Sequence, residues 1–269
     1  MMAKVRNGFI LICLIAGFST TLLAQDTAAS LYNEGLAKLK VKDYDGALPL
    51  LQKAIEIGDP ESEDDAQVIR LASKNGAIAA YYVGNNLRKA NKNDEALAIY
   101  DQGIEYDPSF YANYIGRAQA FEGKGDAVEA VKAYLAASVA SEKGGKADRA
   151  EELYKKADNF AAVAWGKKQW DVAIACAQAF LEERESADAH YYLAQSLKGK
   201  GQNSEALTHA QKAAELTTDT DKDKYYFGLA EIHEALGQKS EAVAAYKMVK
   251  GATYGKRAEY KVSQLDGSK

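Results

Sequence analysis

Small and apolar residues recur along this chain at the spacing of amphipathic helices. Between Ala77 and Pro108 they form two helical runs joined by a polar turn, which predicts one helical hairpin. Gly84, Ala96 and Tyr100 stand at the eighth, 20th and 24th places of this stretch, and Pro108 ends it. Small residues at facing places let two helices cross closely, and larger side chains fill the remaining space.

The same places recur along the rest of the chain, so the pattern predicts six hairpins. The stretch that begins at Tyr111 is the closest match, with Ala118, Ala130 and Tyr134 at places eight, 20 and 24. Gly123, Gly125 and Asp126 mark its turn, and Asp126 is a suitable helix cap. The predicted units are residues 26–61, 77–110, 111–144, 154–186, 187–222 and 223–253.

This arrangement of small, alanine and aromatic places resembles the tetratricopeptide repeat (TPR) family. The resemblance covers nearly all of the chain after residue 25. It implies an all-α, right-handed superhelical solenoid of about six hairpins, with a C-terminal capping helix. It also implies a non-catalytic protein-binding scaffold, in which the first helix of each hairpin lines a concave groove.

Two insertions and a tail interrupt the repeats. Residues 62–76 and 145–153 carry apolar residues at helical spacing, so each is expected to lengthen the helix that follows. Acidic residues at the start of the first insertion suit a solvated helix N-terminus. Residues 254–269 are predicted to form the capping helix and a frayed end. Pro49 is expected to cause a bend or a late start of its helix.

The resemblance also implies which residues face the groove, namely those at places two, five, nine, 12 and 13 of each first helix. Four of the six residues at place five are aromatic, and amide groups recur at place nine. Such residues suit an extended peptide or a helix as ligand; the alternative is that the aromatics only pack between repeats. The candidate partner-binding residues are Tyr32, Tyr81, Asn85, Arg88, Ile115, Gln119, Tyr191, Gln195, Phe227 and Glu231.

Some family members bind acidic C-terminal peptides through a carboxylate clamp of lysine, asparagine and arginine side chains. No three consecutive repeats of this chain supply those residues. We therefore do not expect recognition by that device.

The N-terminal 25 residues have the pattern of a secretory signal. Lys4 and Arg6 precede an apolar run from Gly8 to Phe18, and Ala24 suits a cleavage site. The alternative is a retained membrane anchor, but the apolar run is shorter than the ~20 residues that a spanning helix needs. Cleavage would leave Cys176 as the one cysteine, which its helical pattern places in the core.

Charge and chemistry exclude several function classes. The net charge is −4 and would become −6 without Lys4 and Arg6, and no basic stripe suits nucleic acid. His190, His209 and His233 lack the short spacing of a metal-binding helix motif. There is no glycine-rich phosphate loop and no nucleophile elbow, so we expect no enzyme, no cofactor and no metal.

We therefore expect an exported scaffold, most readily periplasmic, although an extracellular or signal-anchored protein is an alternative. Its partner would be a protein or peptide, without nucleic acid and without an integral membrane span after signal cleavage. Two alternatives remain open. One is a structural protein that self-associates through its terminal helices, and the other is an accessory subunit of an envelope enzyme or assembly complex.

Overall fold

The computed structural model describes residues 26–217 and 222–267. These residues form thirteen helices and no strand, which confirms the all-α helical repeat fold. The predicted signal in residues 1–25 lies outside the described residues. The helices are α1 (Ala28–Lys40), α2 (Tyr44–Ile57), α3 (Glu63–Lys89), α4 (Asn93–Tyr106), α5 (Tyr111–Lys124), α6 (Ala127–Lys143), α7 (Ala147–Gly166), α8 (Trp170–Leu181), α9 (Ala187–Gly199), α10 (Asn203–Leu216), α11 (Lys222–Ala235), α12 (Lys239–Lys247) and α13 (Gly255–Asp266).

Consecutive helices pack against one another along the whole array. From α1 to α12, the odd-numbered helices are the first helices of the hairpins and the even-numbered helices are the second. First helices also contact their neighbours: α1 contacts α3, α3 contacts α5, α7 contacts α9, and α9 contacts α11. We call the surface that α1, α3, α5, α7, α9 and α11 share, at the places named above, the concave face.

One residue in each hairpin turn has a left-handed backbone, and it stands at the 15th place of all six predicted repeats when the first is counted from Ala28. Three of these residues are glycine, which adopts positive φ without steric cost. The turn geometry therefore repeats with the predicted register. The residues are Lys42 (φ 61°), Asn91 (60°), Gly125 (78°), Lys168 (58°), Gly201 (79°) and Gly237 (74°).

The two insertions extend the helices that follow them. Helix α3 has 27 residues and runs without interruption through the first insertion, and α7 has 20 residues. The Ser62 side chain caps α3 by accepting a hydrogen bond from the Asp65 amide, and Glu63, Asp64 and Asp65 lie in the first turn. These carboxylates complement the positive end of the helix dipole.

Pro49 does not delay its helix, so the predicted late start is wrong. Helix α2 begins at Tyr44, and the Asp43 side chain caps it by accepting from the Gly46 amide. Pro49 lies inside the helix on its exposed side. The apolar side chains Leu48 and Leu51 bury the other side, and this packing holds the helix despite the missing backbone donor.

The capping helix and the core cysteine are where the sequence predicts them. Helix α13 packs on α12, and its Ala258 is 1% exposed. Cys176 is also 1% exposed, and burial raises the pKa of its thiol to about 11. Its thiol is therefore a packing group in the core of α8.

Small residues at the helix crossings make room for one large ring. Gly84 on α3 and Gly116 on α5 both face Tyr100 on α4, which has 0% exposure. A Cβ atom added to Gly84 would lie 2.6 Å from ring carbon Cε1, and one added to Gly116 would lie 2.2 Å from it. Tyr100 thus fills a notch between two successive repeats. Only glycine at these two positions leaves room for its ring.

We expect Gly116→Ala to lower the free energy of unfolding by about 1–3 kcal/mol, because the new methyl group must displace a fully buried ring. Chemical denaturation followed by circular dichroism measures this change. Gly166→Ala in α7 is the matched control, since a Cβ there meets nothing within 4 Å. An equal effect of both substitutions would contradict the packing account.

Candidate functional site

The ten candidate residues all lie on first helices, from α1 to α11, but they differ in exposure. Two are buried: Gln195 and Phe227 are each 4% exposed. The rings of Tyr246 and Tyr254 pack against Phe227 with centroids 5.2 and 5.3 Å away. Phe227 is therefore a packing residue next to the capping helix, and these two side chains offer a partner little surface. The half-buried candidates are Tyr32, Tyr81, Asn85, Arg88, Ile115, Gln119, Tyr191 and Glu231.

Aromatic side chains from α2, from α3 and from the residue before α5 gather around the N-terminal part of the concave face. Tyr81 packs edge-to-face on Tyr82, with ring centroids 5.3 Å apart, and on Phe110 at 6.1 Å. Tyr82 is 42% exposed and stacks on Tyr44 at 4.1 Å. We call Tyr44, Tyr81, Tyr82 and Phe110 the N-terminal aromatic cluster.

Polar candidates beside this cluster are partly committed to the fold. Asn85 accepts a hydrogen bond of 2.9 Å from the Tyr100 hydroxyl, and Arg88 donates to the same Asn85 oxygen over 3.5 Å. The Nε atom of Arg88 is buried without a hydrogen-bond partner. Tyr32, on α1, accepts from Asn75 at 3.2 Å. Asn85 therefore ties the core tyrosine to the concave face.

A second group of rings lies on α7, α9 and α11. Tyr191 contacts Tyr192 at 5.1 Å, Tyr225 at 5.7 Å and Trp165 at 6.5 Å between ring centroids, and Trp165 lies 5.6 Å from Tyr192. We call Trp165, Tyr191, Tyr192 and Tyr225 the C-terminal aromatic cluster. Its members come from three successive first helices, so it spans the groove side of repeats four to six.

A lysine already sits against this cluster. The Lys224 Nζ atom lies 4.8 Å from the Tyr225 ring centre, 5.7 Å from that of Tyr191 and 5.8 Å from that of Tyr192. It forms an ion pair of 2.5 Å with Asp188, which also accepts a hydrogen bond from the Tyr225 hydroxyl at 3.0 Å. Burial alone would lower the pKa of Lys224, but the hydrogen bond and charge of Asp188 raise it above its ordinary value.

Asp158 lies beside the C-terminal aromatic cluster and has fewer hydrogen-bond and ion-pair partners than Asp188. The Ser186 hydroxyl donates to its Oδ2 atom, whereas Oδ1 is buried without a hydrogen-bond partner. Burial raises the pKa of this carboxyl to about 6. Asp158, Asn159, Asp188 and Tyr192 line a cavity of about 170 Å³ between α7 and α9, together with Lys155 and Ala162.

The C-terminal aromatic cluster and the charged residues beside it include side chains that were not among the candidates. Trp165 stands at place 12, and Asp188 and Lys224 stand at place two of their repeats, so the family's own places could have found them. Tyr192 at place six and Tyr225 at place three fall outside those places. The last candidate, Glu231, is held in an ion pair of 2.6 Å with Lys198.

A separate groove of about 570 Å³ lies on the side of the second helices. Its apolar wall comes from Leu135 and Val139 on α6 and Ala179 on α8, and Lys132 lies at its rim. The groove is larger and more apolar than the cavity beside Asp158.

Two histidines meet behind the concave face, although 19 residues separate them in the sequence. The Nδ1 atoms of His190 on α9 and His209 on α10 lie 3.0 Å apart, and the rings stack with centroids 5.2 Å apart. Nε2 of His190 lies 2.9 Å from a carboxylate oxygen of Glu185. One ring must donate and the other accept between the two Nδ1 atoms, so the contact cannot hold with both of them protonated.

The model of the tetratricopeptide repeat family matches residues 84–144, 159–220 and 194–255. Together these residues cover more than half of the chain. The chain belongs to this family. No curated protein matches it. The described part of this TPR protein contains no helix that is long and apolar enough to cross a membrane, and no group of three or more metal-ligating side chains.

Solved structures of other TPR proteins are similar at low identity. A YrrB structure, described as a TPR protein with an unusual peptide-binding site, is 20% identical, and the match covers 71% of this chain and 87% of YrrB at a TM-score of 0.36. The TPR2AB domain of yeast Sti1 in complex with pHSP90 is 16% identical over 89% and 98% of the two chains, with a TM-score of 0.37. MamA is 16% identical over 71% and 92%, also at 0.37. Likenesses this distant say nothing about what this TPR protein binds.

The histidine pair predicts a specific pH dependence of stability. Burial lowers the pKa of His209, and the charge of His190 acts in the same direction. The unfolded chain then binds a proton near pH 6.5 that the folded chain takes up only at lower pH, so stability falls as pH drops below about 6.5.

We expect His209→Gln to reduce this loss when the free energy of unfolding is compared at pH 7.5 and pH 5.5 by chemical denaturation. His233→Gln is the control, since His233 lies apart from the pair and contacts Gln238 at 2.6 Å. A wild-type pH dependence in the His209 variant would contradict the assignment.

Proposed function

We propose that this TPR protein is a non-catalytic scaffold of the cell envelope that binds a segment of a protein partner on its concave face. The observation that carries the proposal is the concentration of aromatic side chains on and beside the first helices, in two clusters that include the half-buried rings of Tyr81, Tyr191 and Tyr192. Aromatic side chains provide large contact areas at little entropic cost, and they are enriched at binding hot spots.

Polar groups between these rings suit an extended segment. The concave face carries the amide of Gln119, the guanidinium of Arg88 and the carboxylate of Asp158 beside the aromatic clusters. An extended peptide has backbone donors and acceptors along its length, so it can pair with such groups while its side chains contact the rings. We infer that Tyr81, Arg88, Gln119 and Tyr191 contact the partner together with Tyr192 and Asp158.

The envelope location rests on the N-terminal pattern of Lys4, Arg6 and the apolar run that follows them. Export by this signal would place the scaffold in the periplasm. Its partner would then be another envelope protein, and an accessory role in an envelope enzyme or assembly complex is included in the proposal.

Self-association through the terminal helices is the second candidate function. The outer side of α13 presents Lys256, Arg257 and Glu259 to solvent, and its large exposed hydrophobic residue is Tyr260, at 63%. A mostly charged cap surface disfavours end-to-end stacking of copies. The concave face is therefore the better candidate for the interaction surface.

Site-specific photo-crosslinking in cells tests the proposal. A crosslinking amino acid at Gln119 and at Ala162, both at place nine of their repeats, samples two parts of the concave face, and one at Gln211 on α10 samples an exposed second helix. We expect one partner protein to be captured from both concave positions and not from Gln211, as identified by mass spectrometry.

Capture of the same partner at Gln211 alone would move the binding surface to the second helices and contradict the proposal. Crosslinks at all positions to copies of the same chain would favour self-association instead. The rings of Tyr81 and Tyr191 are left intact because they are part of the aromatic clusters.

A further inference from the structure

We propose that the C-terminal half of the concave face binds a lysine or arginine side chain of the partner segment, in the cavity beside Asp158 and the C-terminal aromatic cluster. This inference rests on the proposed function, because it names the chemistry of the segment that the concave face would take.

The surface already stabilises one ammonium group. Lys224 lies over three tyrosine rings at 4.8–5.8 Å and pairs with Asp188. The faces of aromatic rings attract cations, and a carboxylate at their edge adds a charge-assisted hydrogen bond. Two of the side chains that contact Lys224, Asp188 and Tyr192, also line the neighbouring cavity beside Asp158.

Asp158 supplies a second carboxylate that lacks a cation. Among the described residues it forms no ion pair, and its Oδ1 atom is buried without a hydrogen-bond partner. A buried carboxylate oxygen without a partner is costly, and a bound ammonium or guanidinium group would relieve that cost. Burial raises the pKa of Asp158 to about 6, so the carboxyl is mostly ionised at neutral pH.

The nearby cations are already committed elsewhere. Lys155 lies at the cavity, but its side chain is 75% exposed and its nearest carboxylate is Glu151 at 3.8 Å. Arg184 stacks over the Tyr154 ring at 4.2 Å and also pairs with Glu151. Lys224 is neutralised by Asp188. Lys224 and Arg184 act on Asp158 only through longer-range charge interaction, so its carboxylate has no direct ion pair among the described residues. That position suits a cationic side chain and opposes an acidic one.

The size of the cavity agrees with a single side chain. About 170 Å³ is too small for a folded element but sufficient for the end of a lysine or arginine. The methylene stem of such a side chain would lie along Tyr192, and its charged end would reach Asp158. The main chain of the segment would then continue along the groove.

The test is an array of capped 12-residue peptides of randomised sequence, probed with the purified protein. We expect lysine and arginine to be enriched among the bound peptides. A bound peptide in which norleucine replaces the enriched lysine should bind on the order of tenfold more weakly, because a charge-assisted hydrogen bond to a buried carboxylate is lost.

Asp158→Asn removes the charge with little change of shape, and it should abolish the preference for lysine over norleucine. Burial disfavours the charged form of the wild-type carboxyl. The uncharged variant should therefore unfold at the same or a higher temperature than the wild type at pH 7. Asp171→Asn, in which the side chain is 84% exposed on α8, is the matched control and should keep the preference.

Asp188→Asn gives a second variant if the first is poorly folded, since it also removes a negative charge from the cavity. Bound peptides without lysine or arginine enrichment would overturn this inference and leave the scaffold proposal standing. A preference that survives both cavity variants would overturn it as well. Binding of no peptide at all would contradict both the inference and the proposed recognition of an extended segment.

Discussion

The close crossing of neighbouring helices around a buried tyrosine is the constraint on which the array depends. Tyr100 fits between Gly84 and Gly116, where any added Cβ would overlap its ring. Tyr134 and Tyr246 stand at the same place of their repeats and are each 1% exposed. Where this place is alanine, as in the fourth repeat, the Trp170 ring packs against Gly199 instead. In the first repeat Leu51 takes this place and packs against Gly35. Large side chains thus pack against glycines at several of the helix crossings, and the stack propagates from repeat to repeat.

This packing also shapes the surface offered to a partner. The hydroxyl of Tyr100 reaches Asn85, so the core and the concave face share a hydrogen bond. Since the small residues of the first helices face the core, their larger residues are left for the other side, where Tyr81, Tyr191 and Tyr192 gather. Polar atoms that lack partners, such as Oδ1 of Asp158 and Nε2 of Gln195, lie on the same helices. Natural proteins seldom leave buried polar groups unpaired without a functional reason.

The helices were predictable from the sequence because their spacing repeats, and a repeated pattern averages out the weakness of each single copy. Tertiary packing accounts for the places where the structure differs from the predictions made from the sequence. Pro49 remains inside α2 because Leu48 and Leu51 are buried there. Phe227 satisfies the pattern of a groove residue, yet the capping helix brings Tyr254 against it, and no repeat pattern describes that contact. His190 and His209 meet because α9 and α10 run antiparallel, which spacing along one helix does not reveal. Asp158 stands at a groove place, but its burial and its contacts with Ser186 and the Tyr192 cavity depend on the packing of α7 against α9.

Hydrogen–deuterium exchange of this TPR protein, with and without a bound partner segment, tests the central claim most directly. A segment bound on the concave face should slow amide exchange in α5, α7 and α9 more than in α6, α8 and α10. Slower exchange confined to the second helices, around Leu135 and Val139, would locate the partner in the opposite groove and contradict the account.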